Sequence, residues 1–187
     1  MNFYIADLHL NHENMITMEK RPFDNIIQEN EKIIYNWNEV VGPHDDVWVL
    51  GDCFWSNEDM AIQIMRQLRG RKHLIIGNHD RPNNNLSVFW ESKDYYKEVP
   101  ETLNGKQIKV ILCHYPIPFF KGQHKGNVML YGHVHMTREW KMIEESRARM
   151  FELGIPNNLF NVGCMLPYMG YTPRTLEQIL AGAKYGY

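Results

Sequence analysis

Lys72-His73-Leu74-Ile75-Ile76-Gly77-Asn78-His79-Asp80 joins an apolar run to a turn of polar side chains. Residues 72–76 read as a buried strand, and Gly77 opens a turn that delivers Asn78, His79 and Asp80 at its end. The same arrangement recurs outward in both directions. Toward the N-terminus, Val47–Leu50 runs into Gly51-Asp52, and residues 2–6 end at Asp7-Leu8-His9. Toward the C-terminus, Gln107–Cys113 ends at His114, and Asn127–Tyr131 ends at Gly132-His133-Val134-His135. Donors at the C-terminal edges of neighbouring strands converge in space although they are far apart in sequence. A spacing of two within a loop lets Asp7 and His9, or His133 and His135, face one centre. Gly51, Gly77 and Gly132 each precede such a residue, where a missing Cβ permits sharp reversal and close backbone approach.

The remaining elements fit around these strands. Residues 25–41 place Ile26, Ile27, Asn30, Ile33, Ile34, Trp37, Val40 and Val41 at helical spacing, with Asp24 as the expected N-cap. A helix is expected at 57–69, with Ser56 and Asp59 as a capping pair and Gly70 as its stop. Asn104-Gly105 joins Tyr95–Val99 to Gln107–Cys113 as a hairpin. Residues 138–153 are charged with scattered apolar positions and read as a solvated helix. Leu159–Cys164 reads as a strand, and Thr172-Pro173 as the start of a C-terminal helix. With no internal repeat or linker, residues 1–187 read as a single α/β domain.

Composition narrows the function. A 187-residue chain with 44% hydrophobic residues can bury a full core. Its net charge of −2 disfavours a surface devoted to nucleic acid. The start of the chain is polar too soon for a signal peptide, and no apolar run has membrane-span length, so a cytoplasmic protein without membrane contact is expected. Three cysteines without CxxC spacing predict buried free thiols rather than a disulfide framework or thiolate zinc site.

Taken in order, Asp7-Leu8-His9, Gly51-Asp52, Gly77-Asn78-His79-Asp80, His114 and Gly132-His133-Val134-His135 resemble the ordered motifs of the calcineurin-like metallophosphoesterases. The likeness spans about two thirds of the chain. Asp7-Leu8-His9-Leu10-Asn11-His12 and Arg21-Pro22-Phe23 look like the small, stand-alone bacterial and phage members. The resemblance implies a four-layer α/β/β/α sandwich of two mixed β-sheets flanked by helices. It implies two divalent metal ions, drawn from Mn, Fe, Zn, Ni or Co with Mn favoured, since imidazole and carboxylate donors suit these ions. Asp7, His9 and His135 would bind the first ion. Asn78, His114 and His133 would bind the second, Asp52 would bridge both, and His79 would be the catalytic histidine that does not bind metal. The implied activity is hydrolysis of a small phosphomonoester or phosphodiester, a nucleotide among the candidates, by a hydroxide between the ions. A nuclease is the alternative, and a non-catalytic scaffold ranks last because His79 is intact.

Other residues carry two readings. His12 and Asn14 either line the substrate side or cap the loop after His9. Arg81 would reach a phosphate oxygen or form a surface ion pair. Arg21 would do the same or fix the entry to the first helix. His44, His73 and His124 read as structural or solvated. Cys113 stands where the family often has Ser or Thr, which puts the hydrogen bonding of His114 in question. Residues 138–157 form an excursion expected to cover one edge of the site and to select the substrate.

Overall fold

The apolar runs that end in polar turns are the strands of two sheets in a computed structural model that describes residues 1–55, 58–81 and 84–183. The first sheet has the order β1 (Asn2–Ile5), β2 (Asp46–Val49), β3 (Arg71–Ile75), β4 (Trp90–Asp94), and the second β5 (Tyr96–Leu103), β6 (Lys106–Cys113), β7 (Val128–Tyr131), β8 (Leu159–Asn161). The helices are α1 (Glu13–Met18), α2 (Ile26–Val40), α3 (Glu58–Met65), α4 (Arg138–Glu152) and α5 (Leu176–Gly182). The expected α/β sandwich is therefore formed. It differs in one respect: the first sheet is parallel throughout, and only the second, where β5 and β6 run antiparallel, is mixed.

Parallel sheets need cover on both faces, which is why β1 and β2 are almost continuously apolar. One core holds Phe3 and Ile5 of β1, Val47 and Val49 of β2, Ile33 and Trp37 of α2, and Ala61, Ile64 and Met65 of α3. The second sheet divides its residues by alternation. Ile108, Val110 and Leu112 of β6, with Val128 and Leu130 of β7, join that core. Ile111, Met129 and Tyr131 point the other way and pack with Leu159 against Trp140 and Ile143 of α4. Residues 138–157 therefore roof the second sheet, and Arg147 and Asn157 exchange side-chain-to-backbone bonds of 3.2 and 3.1 Å that pin the segment's end. The excursion thus packs on the second sheet. Its apolar stripe at 140, 143 and 150 was diluted by charge; the helix is largely solvated as expected, with Met150 buried and Trp140 and Ile143 half-buried.

Several boundaries move for physical reasons. Asn25, not Asp24, caps α2, its side chain accepting the Gln28 amide at 3.0 Å, while the Asp24 amide donates to the Gln28 side chain at 2.6 Å. Thr175 and Gln178 form the capping box of α5, so the helix starts after Thr172-Pro173 rather than there. Ser56, the other expected cap, lies outside the described residues. Asn104 and Gly105 both have positive φ, the backbone a type I′ hairpin requires. The expected strand 159–164 ends at Asn161 because the chain then crosses to β1. Ala6 donates to the Val162 carbonyl at 2.8 Å and Cys164 donates to that of Ala6 at 2.9 Å, tying the two sheets together behind Asp7. Among the described residues, no helix is long and apolar enough to cross a membrane.

Candidate metal centre

All the motif turns meet at the C-terminal ends of the strands. The first two are laced side by side. Asp7 donates to the Gly51 carbonyl at 3.1 Å, His9 to that of Asp52 at 2.9 Å, and Leu10 to that of Cys53 at 3.0 Å. Gly51 has a φ of +87°, and a Cβ there would stand 2.2 Å from His114 Nδ1. At Gly132 φ is ordinary and the need is space, because a Cβ would lie 2.7 Å from Asp7 Oδ2. The left-handed backbone falls mostly on the donors themselves: Asp7, His9, Asp52, His133 and His135 all have positive φ. Such conformations cost about 1–3 kcal/mol each outside glycine and persist where surrounding contacts over-determine them.

Two donor groups result. Asp7, His9 and His135 offer atoms within 4.8 Å of one another, and so do Asp52, His114 and His133. In the first, His9 Nε2 and His135 Nε2 face each other at 3.4 Å, and His135 Nε2 lies 3.8 Å from Asp7 Oδ1. In the second, Asn78 Oδ1 lies 3.0 Å from His114 Nε2 and 2.9 Å from His133 Nδ1. Asp52 stands between them. Its Oδ2 is 3.8 Å from His9 Nε2 and 3.5 Å from His114 Nε2. The sequence-expected donors Asp7, His9, Asp52, Asn78, His114, His133 and His135 are thus all brought together.

The donor chemistry fits two cations. His114 Nδ1 bonds to the Leu50 carbonyl at 2.8 Å, which places the proton there and leaves Nε2 as a lone pair aimed at Asn78 Oδ1. Two acceptors 3.0 Å apart are satisfied by a second proton on the ring or by a cation between them. His135 is fixed in the same way by a bond from Nδ1 to Glu19 Oε1. The Leu50 carbonyl also answers the question raised by Cys113, since the orientation of His114 does not depend on that side chain.

Electrostatics divide the donors: burial acts downward on His114 and His135, but the contacts with Asp52 and with Glu19 carry them above the ordinary imidazole value. Burial pushes the fully enclosed Asp7 carboxyl up to about 6, against the pull of His135 and His114. Burial likewise depresses His9, with His135 adding to the effect. For Asp52 burial acts upward, but its contact with His114 and the amide of His79, bonded at 2.9 Å, carries it below the usual carboxylate range. A cation entering here meets ionised Asp52 and neutral His9, the states in which each can coordinate.

Beneath the donors lies a support that sequence reasoning missed or misplaced. Arg21 is only 4% exposed, and its guanidinium is used entirely within the protein. It donates from Nη1 to the Leu8 carbonyl at 3.0 Å and Glu29 Oε1 at 2.6 Å, from Nη2 to the Asp7 carbonyl at 3.1 Å, and from Nε to Glu19 Oε2. It therefore props the Asp7 loop and does not face substrate, correcting its assignment as a phosphate contact. Glu19 links Arg21 to His135. Asn30 on α2 accepts the Asn11 amide at 3.1 Å. Asp80 accepts the amides of Gly77, Asp52 and Cys53 at 2.8, 2.9 and 3.1 Å, clamping two motif turns together. The Cys164 thiol donates to the Asp7 carbonyl at 3.2 Å, and all three cysteines are free.

On the open side, the His79 side chain is 39% exposed with Nε2 4.0 Å from Asp52 Oδ2. It touches Trp55 edge-on at 4.7 Å, and Trp55 stacks on His12 at 4.1 Å. A cleft of about 380 Å³ begins at Asn78 and His79 and includes Arg81 in its lining. Arg81 lines this cleft and His12 lies behind its Trp55 wall, whereas Asn14 is exposed on α1. His73 stacks on Trp48 and contacts Asp46 at 2.9 Å, while His44 and His124 are exposed; none joins the centre.

A scan against protein-family models matches none. Over 149 residues the chain is 40% identical to uncharacterized protein MJ1445 of Methanocaldococcus jannaschii, covering 78% of this chain and 76% of that one. The chain belongs to the same family as that protein. It is also similar to the gene 66 proteins of Mycobacterium phages L5 and D29, at 25% and 28% identity, with 71% of this chain and 76% and 77% of theirs covered. In fold it is similar to the protein of unknown function AQ665 from Aquifex aeolicus. The TM-score is 0.69 at 24% identity, covering 97% of this chain and 98% of that one.

Proposed function

We propose that the chain is a calcineurin-like metallophosphoesterase, hydrolysing a small phosphate ester with two divalent ions, manganese favoured. The observation that carries this reading is Asp52 Oδ2, 3.8 Å from a donor of one group and 3.5 Å from a donor of the other. A carboxylate so placed serves two ions at once. Asp7, His9 and His135 would hold one, and Asn78, His114 and His133 the other. When bound, such a pair supplies an ionised water near neutral pH and polarises a phosphoryl oxygen.

The chain's own residues do the rest. The Asp80 clamp keeps Asp52 and Asn78 at a fixed separation, and Arg21 with Glu19 keeps Asp7 and His135 in place, so little reorganisation accompanies reaction. His79, exposed beside the donors and steadied by Trp55, holds a proton at Nε2 for the departing oxygen. Free thiols suit a reducing compartment, and a cytoplasmic site of action belongs to the same reading.

The test is turnover of an activated phosphodiester by manganese-loaded protein. His79→Ala is expected to lower kcat by about 10²–10⁴-fold, the reach of general acid catalysis, with metal content kept. Equal activity in parent and variant removes the role of His79. No turnover of any ester by fully loaded protein overturns the proposal.

A further inference from the structure

Tyr171 holds a backbone conformation that its side chain does not favour. Its φ is +55°, directly after Gly170 at the same angle. Glycine enters this region at little cost, whereas a bulky aromatic residue there is an outlier, held only where its surroundings over-determine it. Here they do. Asn36 of α2 donates from Nδ2 to the carbonyls of Gly170 and Tyr171, both at 3.2 Å, and the Tyr171 amide donates to the Cys164 carbonyl at 2.8 Å. Cys164 in turn donates its amide to the Ala6 carbonyl and its thiol to that of Asp7. The buried ring reaches the same loop by a second route. The Arg21 guanidinium lies over it at 5.9 Å from the centroid, and Phe23 meets it in a T-shaped contact at 4.8 Å. The Phe23 amide donates to the Arg21 carbonyl at 2.9 Å, a three-residue turn about Pro22 that presents both side chains to Tyr171.

We propose that Tyr171 is a positioning residue of the metal centre: its strained backbone aims the ring that steadies Arg21, and through Arg21 it fixes the donors of the first ion. This rests on the two-ion reading above. The effect is one-sided. Arg21 bonds to the Asp7 carbonyl and to Glu19, which holds His135, so it bears on the first donor group. In the second group, His114 is held by the Leu50 carbonyl, and the Asn78 turn by Asp80. A ring that only filled the core would lower stability without choosing between the ions. Loss of the ring at 171 should instead weaken one ion and spare the other.

The test titrates each variant with manganese, follows the free ion by electron paramagnetic resonance, and locates the bound ions by anomalous diffraction. Tyr171→Leu is expected to bind one ion about tenfold more weakly, the lower end of the loss when a residue supporting a ligand is removed, and the other within about twofold of the parent. The weakened peak is expected among Asp7, His9 and His135. Tyr171→Phe, which keeps the ring, is expected to bind both ions as the parent does. Phe23→Leu leaves residue 171 in place and carries the test if Tyr171→Leu does not fold. It is expected to weaken the same ion about 2–10-fold, the worth of one aromatic pair. Unchanged affinities in these leucine variants, or equal loss of both ions, overturn the positioning role and leave the two-ion reading intact. A parent that binds no manganese among these donors overturns the two-ion reading, and with it the centre that Tyr171 would position.

Discussion

Arg21→Met tests whether the ligand loop is held from below. The guanidinium side chain has no exposed surface and makes bonds to two carboxylates, Glu19 and Glu29, and to the carbonyls of Asp7 and Leu8. Methionine fills much of the volume but leaves two acidic groups facing each other without a cation, and two carbonyls without a donor. Removing one partner of a buried charge network costs about 3–5 kcal/mol, out of a total stability of about 5–15 kcal/mol for a domain of ordinary size. The variant is therefore expected to have its stability lowered by about a fifth or more. The deficit has a pH signature. In the parent, burial acts upward on Glu19, but His135 and Arg21 carry its carboxyl below the ordinary value. A depressed carboxyl stabilises above its unfolded pKa, and that contribution is lost as pH falls through the folded pKa. Without Arg21 the part of this depression that it adds to that of His135 disappears, so the gap between parent and variant should be widest near neutrality and narrow in acid. Urea unfolding of metal-free protein at several pH values measures it. A loss below about 1 kcal/mol at pH 7, or a gap that widens in acid, refutes the supporting role of Arg21.

Other perturbations probe the centre directly. Asp52→Asn is expected to weaken both metal sites together, read as metal content after dialysis against a chelator; loss of one ion with the other retained contradicts a shared carboxylate. Gly132→Ala puts a methyl group 2.7 Å from Ala6 Cβ and Asp7 Oδ2, so a stability loss of about 1–3 kcal/mol should accompany weaker metal binding. An unchanged melting temperature would show that the two sheets separate there at little cost. Glu19→Ala frees the ring of His135 and is expected to lower metal affinity about 10–100-fold, as such supporting residues commonly do. Competition with a coloured chelator reads this directly, and an affinity equal to the parent's would show that His135 needs no partner.

What could be read from the sequence follows from where the physics is local. β1 and β2 are nearly all apolar because both faces of a parallel sheet are covered, β3 ends in the apolar pair Leu74-Ile75, and their turns carry the donors within a few residues. These were legible. β4, Trp-Glu-Ser-Lys-Asp, is a charged edge strand with no apolar run to betray it. α1 is a single short helix whose only buried residue is Met15. Glu19 meets His135 across 116 residues, a pairing no local pattern announces. Arg21 has a residue type that suits phosphate, and only its burial reveals a different task. Asp80 was written inside its motif, yet its task of bonding backbone amides in the neighbouring turn became visible only once β2 and β3 were adjacent. The capping box at Thr175 and Gln178 was legible, but the proline at 173 offered a competing start.

Diffraction from crystals loaded with manganese, recorded at the metal's absorption edge, tests the shared two-ion centre most directly. Two anomalous peaks are expected, one among Asp7, His9 and His135 and the other among Asn78, His114 and His133, with Asp52 reaching both. A single peak, or peaks elsewhere on the molecule, would contradict it.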